Sequence, residues 1–208
     1  MIALTIFALI ILLFSVIIHE IAHGFIALLL GDTTAKREGR LTLNPIKHLD
    51  PIGSIAVPLL LLLVNSGIIF GWAKPVPVNP YNFKDQKYGQ AKVALAGPAV
   101  NFLIAIIFGI IIRFIPEQAN LFYQNLITTF GFIVWINLLL GIFNLIPIPP
   151  LDGSHILFTF LPDSSQKIKI FFSRYGLFFL LFFIFYLFPL IIPIISFLFK
   201  LITGISFY

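Results

Sequence analysis

The chain has 208 residues, of which 60% are hydrophobic and only 10% charged, with 25 Phe and no Cys. Soluble domains carry roughly 25% charged residues, so this composition excludes a soluble globular protein and points to a membrane one. The absence of Cys excludes a disulfide, a thiolate metal ligand and a cysteine nucleophile, and the net charge of +5 sits in loops between apolar runs, so no nucleic-acid partner is expected.

Apolar runs of about 20 residues, enough to cross a ~30 Å hydrocarbon core, recur along the chain. The first, 3–30, has no basic leader and is too long for a signal h-region, so it reads as a retained span. Next, Lys36 to Asp50 mixes charge with alternating Leu41 and Leu43 and a turn-forming Asn44-Pro45, the pattern of a short strand with a loop. The apolar segment 52–70 carries Gly53, Pro58 and Gly67 and is either re-entrant or a fifth span. In Gly71 to Asn79, Trp72, Val76 and Val78 are alternate apolar positions, while Pro75 and Pro77 forbid a central strand. With 36–50 it is expected to form a small β-edge element. Spans follow at 91–114, 122–146 and 175–199, the last broken by Pro189 and Pro193. The expected fold is an all-α polytopic membrane protein, with about four spanning helices, the re-entrant or fifth segment and the β-edge, in one domain over 1–208.

Charge orients these segments. Lys36, Arg37, Arg40 and Lys47 lie in one loop, Lys74, Lys84, Lys87 and Lys92 in the next, and Lys167, Lys169 and Arg174 in a third. All three loops favour the cytoplasm, and a single crossing by 52–70 would put the first two on opposite sides. That favours entry and return, although hydropathy alone allows an ordinary spanning helix.

The chemistry centres on His19-Glu20-Ile21-Ala22-His23, an HExxH sequence inside the first apolar run. On a helix the two imidazoles lie one turn apart on one face, the spacing of two zinc ligands, and Glu20 lies about 100° round, placed to serve as general base. A catalytic zinc takes three protein ligands and an open position. Asp152 is the candidate for the third, because Pro147, Pro149 and Pro150 hold the preceding chain non-helical and Gly153 permits a close approach. In Gly97-Pro98-Ala99-Val100-Asn101, Asn101 either offers its amide to a substrate carbonyl or bridges helices, with Gly97 and Ala99 allowing close packing. Asn144 either orients Asp152 or a ligand, or caps backbone freed near Pro147. His48 and His155 are either a further ligand or proton donor, or hydrogen-bonded interfacial residues. The same His and Asp residues would also suit a membrane carrier of divalent metals, a reading that leaves the placement of Glu20 unexplained.

HEIAH in a span, GPAVN opening a later one and NLIPIPPLDG after the next together resemble the site-2 protease family of intramembrane metalloproteases, over about residues 10–160. GDTTAKREGRLTLNPIKHLDPIG and FGWAKPVPVNP look like the compact bacterial branch that lacks a PDZ insertion. The resemblance implies one Zn²⁺ per chain on His19, His23 and Asp152, with Glu20 as base. It also implies cleavage of transmembrane or membrane-anchored proteins in a lipid bilayer, expected in a bacterial inner membrane, and the charge of the loops, not the resemblance, puts the site nearer the cytoplasm. After the aspartate this chain reads GSHIL where many relatives have GGRxL, which adds His155.

Overall fold

The computed structural model describes residues 2–64, 73–116 and 120–206. Eight α-helices lie within them: α1 (Ile2–Leu29), α2 (Thr34–Arg37), α3 (Val57–Leu63), α4 (Gly89–Arg113), α5 (Leu121–Asn144), α6 (Asp152–Phe160), α7 (Gln166–Phe182) and α8 (Ile192–Thr203). Four stretches are long and apolar enough to cross a membrane: Ile6–Leu29, Gly89–Arg113, Leu121–Asn144 and Gln166–Leu190. At 1.5 Å per residue each reaches about 36 Å, more than the hydrocarbon core requires. The chain is an integral membrane protein.

α4 is the centre of the bundle, packing against α1, α5, α6 and α8. Two apolar clusters flank its polar middle. Ala105 and Ile112 of α4 pack with Val134 and Leu138 of α5 and with Ile195 and Phe199 of α8, while Val93 packs with Ala27 of α1 and with Phe83. Small residues let these helices approach. Gly109 faces Ile202 and Gly141 faces the Phe102 ring, where a Cβ would crowd each neighbour. The large exposed side chains, such as Phe178 and Phe185, are those a lipid-facing surface needs.

The last long apolar helix differs from the expected 175–199. Helical backbone begins at Gln166, widens into a π turn at Phe183–Leu187, tightens into a 3₁₀ turn at Phe188–Leu190, and α8 then starts at Ile192. Pro189 and Pro193, which lack the N–H that continues a helix, sit in the first turns of these last two pieces.

The expected β-edge element is not found: among the described residues there is no strand. Lys36–Asp50 instead holds the end of α2, turns and a 3₁₀ turn at Pro45–His48 capped by Asn44. Ala73–Asn79 is non-helical, but its polar groups are met by side chains rather than by a ladder. The Val76 N–H donates to Glu20, the Arg40 guanidinium donates to the carbonyls of Lys74 and Pro75, and the Asn79 N–H donates to Asp32. One main-chain bond, from Lys74 N–H to His48 O, joins the two stretches. Pro75 and Pro77 have no N–H to offer, so no ladder can propagate. Of the 52–70 segment, Pro51–Ala56 forms a wide helical turn capped by Asp50 and runs into α3. Its remainder from residue 65 to 70 lies outside the described residues, as does Trp72.

Candidate metal centre

α1 carries His19 and His23 toward α4 and α6, with both rings buried and 4.6 Å apart in an edge-to-face arrangement. α6 starts at Asp152, whose Oδ2 lies 3.0 Å from His19 Nε2 and 3.3 Å from His23 Nε2. The aspartate arrives there because the chain stops being helical at the end of α5 and passes Pro147, Pro149 and Pro150 in tight turns. Gly153 is required at the next position. A Cβ there would overlap the carbonyl oxygens of Leu145 and Ile146, which are main chain and cannot rotate away.

The other ring nitrogens are already committed. His23 Nδ1 bonds the carbonyl of Val93 at 2.7 Å, and His19 Nδ1 bonds Asn101 Oδ1 at 2.6 Å. A carbonyl oxygen only accepts, so each Nδ1 carries the proton, and in its neutral form each ring turns the Nε2 lone pair inward. Two lone pairs and a carboxylate then face one another in a buried space, a repulsive set that a divalent cation resolves. The three donor atoms lie within 4.8 Å of one another. Two imidazoles and one carboxylate, each imidazole fixed by an outer hydrogen bond, are a donor set that suits zinc.

The remaining expected residues fall around this centre. Glu20 is half-buried on α1, and its Oε2 accepts the Val76 N–H at 2.7 Å. Gly97 and Pro98 are buried on α4, and a Cβ on Gly97 would run into Nε2 of both histidines. Asn101 is fully buried and serves His19 with its oxygen, while its amide donates to Asn137. Asn144 donates to Leu140 O in its own helix, and no bond from it to Asp152 or to either histidine is found among the described residues. His48 is buried away from the centre with Nε2 on Thr42 O, and His155, one turn into α6, receives the Gln90 amide at Nδ1.

Three residues emerge that sequence reading passed over. Asn137 and Ser15 extend the polar chain behind Asn101, and Arg40 clamps the carbonyls of Lys74 and Pro75. A signal for Asn137 and Ser15 was available, since a polar side chain in the middle of a span needs partners and usually has a role.

A His-His-Asp cluster carried on an HExxH sequence within membrane helices is an arrangement that suits a membrane zinc metallopeptidase. Comparison with known proteins agrees. The family model described as peptidase family M50 matches residues 111–185, the stretch with α5, the proline turns and Asp152. The chain is 40% identical over 169 residues to YwhC of Bacillus subtilis, a candidate zinc metalloprotease by name, covering 79% of this chain and 74% of YwhC. It is 33% identical to Rip2 of Mycolicibacterium smegmatis, also named as a candidate zinc metalloprotease, over 74% of this chain and 57% of Rip2. Zinc metalloprotease MJ0392 of Methanocaldococcus jannaschii is 31% identical over 77% of this chain, which spans 36% of that protein. No solved structure matches significantly. The chain belongs to peptidase family M50, the site-2 protease family of zinc metalloproteases.

Proposed function

We propose that this chain hydrolyses peptide bonds in or near transmembrane segments of membrane-anchored proteins, with zinc held by His19, His23 and Asp152 and with Glu20 as general base. The convergence of two Nε2 atoms and one carboxylate oxygen, with Glu20 next to the first ligand on the same helix, carries this reading. Zinc bound there supplies a Lewis acid that polarises a carbonyl and acidifies water. The Val76 N–H occupies Oε2 of Glu20, so Oε1 is the oxygen left to take the proton of the attacking water. Water's oxygen bonds the scissile carbon, the carbon–nitrogen bond breaks, and Glu20 returns the proton to the leaving nitrogen. Asn101 and the Val93 carbonyl hold the two rings in place throughout.

A substrate helix must unwind first, because its carbonyls are tied up in intrahelical bonds. The three basic loops favour an orientation with the site nearer the cytoplasm of a bacterial membrane. Zinc content and cleavage of a model transmembrane substrate in liposomes test the reading. Glu20→Gln should keep zinc and lose about 10²–10⁴-fold in cleavage rate, the usual contribution of a positioned base. Asp152→Ala should lose the metal. Activity retained in Glu20→Gln would refute the base.

A further inference from the structure

Behind His19 runs a line of buried polar groups that the hydrolytic chemistry does not itself use. Ser15 on α1, Asn101 on α4 and Asn137 on α5 are 5%, 0% and 0% exposed. His19 Nδ1–H donates to Asn101 Oδ1 (2.6 Å), Asn101 Nδ2 donates to Asn137 Oδ1 (2.8 Å), and Asn137 Nδ2 donates to both Ser15 Oγ and the Ile133 carbonyl, at 2.9 Å each.

The direction of this chain is not arbitrary. The Ile133 carbonyl has lone pairs only, so Asn137 must turn its NH₂ to it and its oxygen to Asn101. Asn101 must then present its NH₂ to Asn137 and its oxygen to His19. That oxygen requires a proton on Nδ1, which leaves the lone pair on Nε2. A competing arrangement lies close by. With Asn101 flipped, Nδ1 would accept, the proton would move to Nε2, and Nε2–H would donate to Asp152 Oδ2, 3.0 Å away. Such a ring satisfies its hydrogen bonds and cannot ligate a metal.

We infer that Asn137 is a positioning residue that acts through Asn101 to keep the proton of His19 on Nδ1, with the backbone carbonyl of Ile133 setting the sense of the chain. The inference rests on His19 being a zinc ligand. His23 provides an internal reference, because its Nδ1 is fixed directly by the Val93 carbonyl and owes nothing to Asn137.

The experiment is ¹⁵N imidazole NMR on metal-free full-length protein in detergent, recorded over a pH series and read on the singly protonated rings, whose two tautomers give distinct nitrogen shifts, together with zinc affinity by chelator competition. The chain has four His, so the spectrum is assignable. Wild type should show Nδ1–H at His19 and His23. Asn137→Leu should move His19 to Nε2–H, leave His23 unchanged and weaken zinc about 10–100-fold, the usual cost of losing an outer hydrogen-bond partner. Ser15→Ala keeps the Ile133 anchor and should stay within about threefold of wild type. Asn137→Thr, whose hydroxyl can donate back to Ile133 O and still accept from Asn101, should keep Nδ1–H at His19.

The proposal is overturned if Asn137→Leu keeps Nδ1–H and near-wild-type zinc affinity, or if Ser15→Ala weakens zinc as much as Asn137→Leu does. Should Asn137→Leu lose the His23 signal and hence the fold, Nε2–H at His19 in Asn137→Thr overturns it. If wild-type zinc affinity is instead indifferent to Asp152→Ala, the metal-site reading itself fails, which separates the two.

Discussion

The Val76 N–H donates to Glu20 Oε2 at 2.7 Å, so a main-chain group from between two prolines holds the carboxylate assigned as base. Arg40, only 4% exposed, braces the same segment through the carbonyls of Lys74 and Pro75. The bond occupies one oxygen and aims the other. Replacing Val76 with Pro deletes the donor while keeping an extended residue between Pro75 and Pro77. Cleavage should fall about 10–100-fold, the worth of one charge-assisted hydrogen bond, with zinc content unchanged. A rise in kcat would show that the bond restrains Glu20 instead of aiming it.

Gly97 tests how tightly α4 approaches the centre. A Cβ at this position would lie against Nε2 of both histidines, the atoms that face Asp152. In a helix interior Gly→Ala gains about 1 kcal/mol, and overpacking costs about 1–3 kcal/mol, so metal-free stability should fall by no more than about 2 kcal/mol. Zinc affinity should fall by about 100-fold or more, because the methyl displaces the nitrogens proposed as ligands. Thermal denaturation of the metal-free form and chelator competition separate the two effects, and unchanged affinity would mean that α4 can move aside.

Gly153 makes the corresponding case for Asp152. Its missing Cβ is replaced by the carbonyl oxygens of Leu145 and Ile146, and buried main chain yields less readily than a side chain. Gly153→Ala should push the start of α6 away and lose zinc as Asp152→Ala does, although every ligand is still encoded. Measured zinc content decides this, and wild-type content would mean that the loop relaxes.

How much of this was readable beforehand differs from residue to residue. His19 and His23 meet because helical period alone puts i and i+4 on one face, and the proline turns before Asp152 announce a chain that leaves the helix. The partners of Asn101 were not readable. Whether its amide meets substrate or another helix depends on how α4 crosses α5, which no local pattern encodes, and Asn137 supplies the answer only once the helices are packed. The β-edge expectation failed for a related reason. Alternation at Val76 and Val78 marks an extended segment but not its partner, and here the partners are the side chains of Glu20, Arg40 and Asp32. Asn144 bonds Leu140 O of its own helix, a local option that any helical Asn retains.

Asp32 ties the end of α1 to that same segment and predicts a pH dependence. It is fully buried, and its carboxylate accepts from the N–H and hydroxyl of Thr34, the N–H of Asn79 and the amide of Asn82. Burial pushes its pKa up, but the bonds from Thr34, Asn79 and Asn82 together outweigh this and hold the group below the usual carboxylate range. In the unfolded chain the group titrates near 3.9, so the unfolded state takes the proton first as pH falls. The stabilisation is therefore complete above about pH 5 and is lost as pH drops through the unfolded value toward the lower folded one. Asp32→Asn should cost about 1–3 kcal/mol at neutral pH, since it turns an amide toward donors that need an acceptor. Denaturation in detergent, followed for both proteins from pH 7 to about pH 3, should show that gap narrowing below about pH 4. A gap that stays constant across the range would mean that Asp32 is held by shape and not by its charge.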